Sequence, residues 1–378
     1  MTPNPLQQLL GLGQSVWLDE LTRDWLGSGQ LAQFTERDAV RGVTSNPSIF
    51  QKAIAGSQQY DAQLGELARA GADAEAIYDA LTLDDIRGAC DLFLPLHASS
   101  GGLDGYVSHE VSPRLAADTW GTVNEARRLW AAVDRPNLMI KIPATAEGMP
   151  AVRECLVSGI NVNVTLMFSL AHYDAVAEAY LAGLEARAAA GRPLEGVASV
   201  ASFFVSRVDS HVDALLAARL AEEGDPQRAA RMRDLMGKAA VANAKRAYRR
   251  FQQLFTSRRF AALQARGARR QRVLWASTST KNPAYSDVLY VDELIGPHTV
   301  NTLPLETLDA FRDHGRVAPT LAEGLDEADG VVRRLALWGI DLDRVGERLS
   351  VEGVDKFVQS LDGVLATVEE RRRQFAPV

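Results

Sequence analysis

The chain has 378 residues, of which 47% are hydrophobic and 24% charged, a composition that predicts a globular protein and excludes a disordered or fibrous one. Its net charge of -7 argues against a dedicated nucleic-acid binder, and its two cysteines, Cys90 and Cys155, stand outside any CxxC or Cys/His cluster, which argues against a disulfide framework or a zinc site. The first residues lack the pattern of a signal peptide and no stretch is apolar enough to span a bilayer, so we expect a cytoplasmic protein.

Short runs rich in Val, Ile, Thr and Trp alternate with helical stretches rich in Ala, Leu, Glu and Arg along most of the chain. In chain order, the eight candidate strands are centred near Val16, Val43, Val107, Ile140, Val164, Ala201, Trp275 and Asn301. This alternation is typical of repeated βα units, and the chain exceeds the roughly 250 residues of a typical (β/α)8 barrel. The sequence therefore predicts an α/β fold, a (β/α)8 TIM barrel with helical insertions, rather than an open doubly wound sheet.

The surplus length falls into the two longest intervals between candidate strands, from Asn46 to Tyr106 and from Arg207 to Arg272. Both intervals contain several helical patterns, which predicts helical insertions near residues 52–100 and 208–270. No linker rich in Pro, Gly or Ser divides the chain. We therefore expect a single barrel domain over residues 1–378.

The stretch from Lys245 to Arg272 is strongly basic and could form a nucleic-acid surface. Its arginines alternate with apolar residues such as Phe251 and Phe255, which favours the solvated side of amphipathic helices. The acidic balance of the whole chain supports this second interpretation.

Polar residues recur where the predicted strands end, and in barrels of this kind the reacting side chains lie at those C-terminal ends. In the first six strands they are Asp19, Asn46, Glu110, Lys141, Thr165 and Ser202. Several of them also have a structural interpretation when taken singly. Asp19 could cap a helix, Asn46 could belong to a turn before proline, and Thr165 could be an ordinary strand threonine.

Lys141 stands in the run LMIKIP, where Leu138, Ile140 and Ile142 share one face of the strand and Lys141 lies on the other. A buried ammonium is costly unless it is paired. Burial of a lysine favours its neutral amine, which is the form that attacks a carbonyl to give a Schiff base. The alternatives are that Lys141 reaches solvent from the strand end or pairs with a carboxylate.

Glu110 shares a strand face with Tyr106 and Ser108, opposite Val107 and Val111. His109 is then predicted to point away from the barrel and to be a hydrogen-bonded structural histidine rather than a general base. This pattern assigns the acid/base chemistry to carboxylates.

The chain resembles transaldolase, specifically its longer bacterial subfamily, in six blocks that follow one another along most of the sequence: GVTSNPS, YVSHEVSPRLAADT, LMIKIPATAEGMPAV, INVNVTLMFS, VASFFVSRVD and WASTSTKNPAYSD. This resemblance implies a (β/α)8 barrel that needs no metal or organic cofactor. The implied reaction moves a dihydroxyacetone unit from sedoheptulose 7-phosphate or fructose 6-phosphate to glyceraldehyde 3-phosphate or erythrose 4-phosphate, in the pentose phosphate pathway.

The family's catalytic residues fall on four positions of this sequence. Lys141 in KIPAT matches the Schiff-base lysine, and Glu110 in SHEVS matches the carboxylate that acts on it through a water. Thr165 in NVTL matches the threonine that holds this water. Asp19 matches the acid/base for the C4 hydroxyl of the sugar.

The resemblance also implies residues that bind the sugar phosphate. The matching positions for the sugar are Thr44, Asn46, Asn163, Ser202 and Phe204, and those for the phosphate are Arg207 and Lys281. Lys281 departs from the shorter subfamilies, which have an arginine there. A lysine binds phosphate as a point charge and lacks the planar bidentate contact, so an ordinary surface lysine is the alternative.

Two other functions stay open beside transfer. A class I aldolase with the same barrel, similar to a fructose-6-phosphate aldolase, would release free dihydroxyacetone. A non-catalytic barrel could bind sugar phosphates or RNA through the basic stretch. The sequence leaves the oligomeric state open between monomer and homodimer.

Overall fold

The computed structural model describes residues 3–375 and contains eight parallel strands that close into a barrel. The strands are β1 (Gln14–Leu18), β2 (Val40–Thr44), β3 (Tyr106–Glu110), β4 (Leu138–Pro143), β5 (Val162–Met167), β6 (Ser199–Phe204), β7 (Arg272–Ala276) and β8 (Thr299–Leu303). They are hydrogen-bonded in chain order, and β1 also pairs with β8. The predicted (β/α)8 barrel is confirmed, and each predicted strand is present.

Helices surround the barrel. They are α1 (Pro5–Gly11), α2 (Arg23–Ser28), α3 (Gln30–Arg37), α4 (Pro47–Gly56), α5 (Asp61–Arg69), α6 (Ala74–Ser99), α7 (Thr119–Val133), α8 (Gly148–Ser158), α9 (Leu170–Ala189), α10 (Ser206–Glu222), α11 (Pro226–Arg233), α12 (Ala239–Phe255), α13 (Arg258–Gln264), α14 (Leu289–Asp292), α15 (Leu305–His314), α16 (Leu325–Leu337) and α17 (Leu342–Phe375). No helix among residues 3–375 has both the length and the apolar character that a membrane span requires.

Local sequence explains where many of these helices begin. A side-chain oxygen that accepts a hydrogen bond from the first turn satisfies one of the backbone N–H groups that a helix start leaves unpaired. Residues that cap a helix in this way include Asn4, Thr22, Asn46, Asp73, Asp118, Ser169, Asp225 and Ser257. Thr22 and not Asp19 caps α2, so the helix-cap interpretation of Asp19 is wrong.

Both long intervals between strands are helical. The interval between β2 and β3 holds α4, α5 and α6, and the interval between β6 and β7 holds α10 to α13. The basic stretch lies largely on α12 and α13, and its arginines pair with carboxylates of α9 and α16. These pairs join Arg246 and Arg249 to Asp329, Arg250 to Asp174, and Arg259 to Glu178 and Glu185. This pairing favours the amphipathic-helix interpretation over a nucleic-acid surface.

Helix α17 packs against α4, α6 and β5, and two glycines permit its close approach. A Cβ atom at Gly353 would lie 2.8 Å from Leu166 Cδ2, and one at Gly346 would lie 2.7 Å from Ser169 Cβ. Larger residues at these positions would push the helix outward. The close packing brings Phe357, one turn beyond Gly353, to the end of the barrel where the strands terminate.

Candidate active site

Nine of the eleven predicted site residues line one cavity of about 230 Å³ at the C-terminal ends of the strands. They are Asp19, Thr44, Asn46, Lys141, Thr165, Ser202, Phe204, Arg207 and Lys281. The other two residues adjoin this group. Glu110 lies 3.5 Å from Lys141, and Asn163 accepts a hydrogen bond from Ser202.

Lys141 is buried on β4, with 5% of its surface exposed. Its Nζ donates a hydrogen bond of 3.1 Å to the carbonyl of Ser45 and lies 3.5 Å from Oε2 of Glu110. The barrel register produces this contact, because Glu110 of β3 stands directly beside Lys141 of β4. Of the two alternatives to a catalytic role, the structure shows the carboxylate pairing and not a lysine that extends to solvent.

Burial of Glu110 raises the pKa of its carboxyl group to about 7; nearby Lys141 opposes this increase, and Asp19 adds to it. Both carboxylate oxygens are buried and accept no hydrogen bond from residues 3–375, although Oε2 lies near the Lys141 amine. The buried hydroxyl of Thr165 likewise has no hydrogen-bond partner in the described part of the chain. A carboxyl group with a pKa near neutrality can both give and take a proton at physiological pH.

Asp19 follows β1 and is held by a short chain of hydroxyl groups. Thr44 donates a hydrogen bond of 2.6 Å to Asp19 Oδ1, and its oxygen lies 2.7 Å from that of Thr302. Because Thr44 gives its only hydroxyl proton to Asp19, the hydroxyl of Thr302 donates to Thr44. Thr44 therefore orients the Asp19 carboxylate as well as lining the cavity.

A second polar chain crosses the barrel interior. Asn163 donates to the hydroxyl of Ser108 at 3.0 Å and accepts from the hydroxyl of Ser202 at 2.6 Å. All three residues are buried, so these bonds fix the orientation of the Asn163 amide. Asn46 has two roles, since its side chain caps α4 through the N–H of Ile49 at 3.0 Å and also lines the cavity.

Two further cations, Arg207 and Lys281, line the cavity. Arg207 belongs to the first turn of α10, and its guanidinium carbon lies 5.4 Å from the centre of the Phe204 ring. Burial lowers the pKa of Arg207, and Asp19 acts in the opposite direction. Lys281 lies in the loop between β7 and α14, with its Nζ 2.6 Å from the hydroxyl of Ser279. The structure thus brings Lys281 to the same cavity as Arg207. Because Lys281 is exposed, solvent screens its charge more strongly than that of Arg207.

Phe357 of α17 was not among the predicted site residues, and its ring centre lies 5.4 Å from Lys141 Nζ. The ring is 6% exposed and lines the cavity. An aromatic face at this distance favours a cation at the lysine nitrogen and excludes water from its surroundings. The apolar periodicity of the C-terminal segment could have indicated a helix, but not that one of its residues would reach Lys141.

His109 lies on the outer face of β3, as predicted, with its ring perpendicular to that of Phe50 at 6.1 Å. Burial lowers its pKa to about 4, so the imidazole is neutral at physiological pH. The expectation of a hydrogen-bonded histidine is wrong for Nδ1, which is buried and has no partner among residues 3–375. The ring lines a second cavity, outside the barrel wall, that a strand pattern could not reveal.

Among residues 3–375, no group of three or more His, Cys, Asp or Glu side chains is arranged to hold a metal ion. The polar groups that converge on the cavity are instead an amine, two carboxylates, hydroxyls, amides and two further cations. Such a set suits covalent chemistry on a carbonyl of a phosphorylated, hydroxyl-rich molecule.

Comparison with known proteins agrees with this chemistry. The sequence model of the family described as Transaldolase/Fructose-6-phosphate aldolase matches residues 16–368. A transaldolase of Thiobacillus denitrificans is 53% identical over 357 residues, which are 94% of this chain and 97% of that protein. A transaldolase of Trichodesmium erythraeum is 48% identical over 380 residues and the whole of both chains, and one of Frankia alni is 50% identical over 97% of each.

Proposed function

Because the chain belongs to the transaldolase and fructose-6-phosphate aldolase family, we propose that it is a transaldolase that works through a Schiff base on Lys141. It moves a dihydroxyacetone unit from a ketose phosphate, sedoheptulose 7-phosphate or fructose 6-phosphate, to glyceraldehyde 3-phosphate or erythrose 4-phosphate. The observation that carries this proposal is the buried Lys141 amine 3.5 Å from a carboxyl group whose pKa is raised to about 7.

The first stage joins Lys141 to the C2 carbonyl of the ketose. The neutral amine adds to C2, and a proton then allows the C2 oxygen to leave as water, which creates a protonated imine. Glu110 supplies and recovers protons, since its pKa lies close to neutrality. A water between Glu110 and Thr165 would satisfy their unpartnered buried oxygens and carry these protons.

The second stage breaks the bond between C3 and C4. Asp19 removes the proton of the C4 hydroxyl, the electrons of the C3–C4 bond flow into the imine, and an aldose phosphate leaves. The three-carbon enamine stays on Lys141 until a second aldose phosphate adds, after which water releases the new ketose. Thr44 supports this role because its 2.6 Å hydrogen bond orients the Asp19 carboxylate.

The rest of the cavity holds the substrate. Asn46 and Asn163 are suited to the hydroxyls of the dihydroxyacetone unit, while Arg207 and Lys281 place positive charge where the phosphate would lie. Phe357 covers Lys141 and would keep water from the enamine. An enamine protected from protonation waits for an acceptor, and this distinguishes transfer from the release of free dihydroxyacetone.

We infer further that the barrel and its helical insertions form one domain, and that the protein acts in the cytoplasm. The two cysteines, Cys90 and Cys155, are buried and unpaired, which is compatible with a reducing compartment.

The test is borohydride reduction of the protein in the presence of fructose 6-phosphate, followed by peptide mapping. We expect a three-carbon adduct on Lys141, which would establish both the Schiff base and the carbon–carbon cleavage. Lys245→Ala is the matched control, because Lys245 is also buried and paired with a carboxylate, Glu293, yet lies outside the cavity. This variant should form the adduct, whereas Lys141→Ala should not. An adduct that survives Lys141→Ala would overturn the assignment.

Activity without an acceptor separates the proposal from the aldolase alternative. A transferase consumes fructose 6-phosphate in sustained turnover only when erythrose 4-phosphate is present. Sustained release of dihydroxyacetone without acceptor, at the rate seen with it, would instead identify an aldolase.

A further inference from the structure

Strand β5 is irregular near its C-terminal end. Its pairing with β6 skips one residue, because Val164 pairs with Ala201 whereas Met167 pairs with Phe203. Two residues of β5 therefore stand opposite one residue of β6, which is a β-bulge. One of the two is Leu166, whose backbone φ of +61° lies in the left-handed region that residues other than glycine seldom adopt.

The bulge changes the faces on which the following residues lie. Thr165 lines the substrate cavity, so strict alternation would turn Met167 towards the inside of the barrel as well. Met167 instead pairs with Phe203, which lies on the outer face of β6 because its neighbour Phe204 lines the cavity. The next residue of β5, Phe168, packs against Phe204 with ring centres 5.0 Å apart. The bulge therefore reverses the alternation after Thr165 and gives the extra residue a direction of its own.

That extra residue, Leu166, packs against helix α17. Its side chain is fully buried, and a Cβ atom at Gly353 would lie 2.8 Å from Leu166 Cδ2 and 3.5 Å from Cδ1. A glycine at position 166 would adopt the left-handed backbone easily, whereas a leucine adopts it at a cost. The packing of the leucine side chain against α17 offsets this cost.

The same face of α17 makes a second close contact and carries the cover of the catalytic lysine. Gly346 lies two turns before Gly353, and a Cβ atom there would lie 2.7 Å from Ser169 Cβ, just beyond the bulge. Phe357 lies about one turn after Gly353, with its ring centre 5.4 Å from Lys141 Nζ. The contact with the bulge is therefore close to the point where α17 covers Lys141.

We propose that Leu166 is a positioning residue, which fixes the distance of α17 from β5 through Gly353 and thereby holds Phe357 over Lys141. The importance of this cover for transfer rests on the proposed function, in which Phe357 keeps water from the enamine. Leu166 itself touches neither the substrate nor the reacting amine. It acts on the reaction through the helix.

The cover over Lys141 can be measured without substrate. Reductive methylation with formaldehyde and cyanoborohydride modifies lysine amines that the reagents reach, and peptide mapping gives the rate at Lys141. Lys245 is the internal reference, because it is also buried but lies on α12 outside the substrate cavity. The functional measurement is the ratio of acceptor-independent dihydroxyacetone release to transfer.

Gly353→Ala tests the contact from the side of the helix. The new methyl group would lie 2.8 Å from Leu166 Cδ2, which is too close for two carbon atoms, so we expect α17 to move outward. Methylation of Lys141 and the release ratio should both increase several-fold. Gly363→Ala is the matched control on the same helix, because its methyl group meets only the end of the flexible Gln51 side chain. It should behave as the wild type does.

Leu166→Ala tests the contact from the side of the strand. Removal of the side chain leaves α17 without this support, and we again expect a several-fold increase in both measurements. In the double variant the methyl group of Gly353→Ala enters space that the leucine has vacated, so both measurements should return towards wild type. Leu308→Ala, which truncates a fully buried leucine of α15, controls for general loosening and should change neither measurement.

Two results would overturn the proposal. They are wild-type methylation of Lys141 in both single variants, and single effects that simply multiply in the double variant, since independent sites do not compensate for each other. Failure of the proposed function has a different signature. In that case the wild-type protein forms no borohydride adduct with fructose 6-phosphate, while the methylation rates still report whether Leu166 positions α17.

Discussion

Thr44 and Asp19 show how a single hydroxyl group orients the carboxylate that we propose as the acid/base for the C4 hydroxyl. The hydrogen bond of 2.6 Å joins residues of β2 and of the segment after β1, and Thr302 supports it from β8. Three neighbouring strands therefore fix one oxygen, which a side chain on a mobile loop could not achieve as well. The proposed catalytic role of Asp19 depends on this orientation.

Removal of that hydrogen bond is expected to slow turnover. Thr44→Val loses a hydrogen bond to a charged group, worth about 1.5–3 kcal/mol, which corresponds to a fall in kcat of roughly tenfold to a hundredfold. Thr44→Ser keeps the hydroxyl and should retain most activity. Steady-state kinetics with fructose 6-phosphate measures both variants. Equal losses in Val and Ser variants would contradict an orienting role for the hydroxyl.

Glu110 makes stability depend on pH. Its pKa is raised from 4.5 to about 7 in the folded protein, so the folded state holds this proton more tightly than the unfolded state does. The resulting stabilisation is complete below about pH 4.5 and is lost as pH rises through about 7. At about 1.4 kcal/mol per pKa unit, the loss amounts to at most about 3.5 kcal/mol.

Glu110→Gln removes this ionisation. We expect the free energy of unfolding of the Gln variant, relative to wild type, to increase between pH 4.5 and pH 7.5. Denaturant titrations of both proteins across this range provide the measurement. A difference that stays constant with pH would show that Glu110 has no raised pKa.

Among the secondary-structure elements, helix α10 links Arg207 and Lys281, the two cations proposed to bind phosphate. Arg207 lies in its first turn, and Asp213, further along the helix, accepts a hydrogen bond of 2.7 Å from the hydroxyl of Tyr285. Tyr285 follows Lys281 in the loop between β7 and α14. This bond therefore holds the loop that carries Lys281 against the helix that carries Arg207.

Tyr285→Phe removes this hydrogen bond between the loop and α10. Loss of this hydrogen bond to a carboxylate, worth about 1.5–3 kcal/mol, should raise KM for fructose 6-phosphate by up to roughly tenfold to a hundredfold and leave kcat unchanged. Unphosphorylated fructose as donor should be unaffected, because no phosphate meets Lys281. Tyr248→Phe, which removes a hydroxyl bonded to Pro297 far from the cavity, is the control. A uniform loss with both donors would indicate general damage instead.

Helix α17 also shapes the site, because it places Phe357 over Lys141. Phe357→Ala opens the surroundings of the enamine to water. We expect acceptor-independent release of dihydroxyacetone to increase several-fold relative to transfer, as measured by enzymatic reduction of the released ketone. Phe357→Leu keeps an apolar cover and should stay close to wild type. If the Ala variant keeps the wild-type ratio, Phe357 has no shielding role.

In the whole molecule, the two ends of the barrel have separate tasks. The C-terminal end carries the cavity, while a buried pair of Arg272 and Asp104, 2.9 Å apart, fills the N-terminal end and contacts Ser15. Removal of either side chain would leave the other charge buried and unpaired, which costs about 3–5 kcal/mol. Stability and catalysis should therefore respond to different substitutions.

Arg272→Met tests this separation. We expect a loss of about 3–5 kcal/mol in the free energy of unfolding, with kcat and KM of the folded protein unchanged. Arg259→Met breaks exposed pairs with Glu178 and Glu185 and should cost about 1 kcal/mol or less. A large change in kcat of the Arg272 variant at 20 °C or below would show that catalysis at one end of the barrel depends on the buried pair at the other.

The barrel and the residues at its mouth could be predicted from the amino-acid sequence alone. Strand patterns are local, and a closed set of parallel strands brings their C-terminal ends together, so Asp19, Glu110 and Lys141 could be placed near one another before any coordinates. The family blocks added Arg207 and Lys281, which line one cavity in the structure.

Contacts between residues far apart in the chain could not be predicted in this way, because they form only when the chain is packed in three dimensions. The approach of Phe357 to Lys141, the hydrogen bond from Tyr285 to α10 and the cavity outside β3 depend on how helices pack around the barrel. Periodicity shows that a helix has an apolar face but not which neighbour covers it, because packing is set by the shapes of surfaces that come from distant segments.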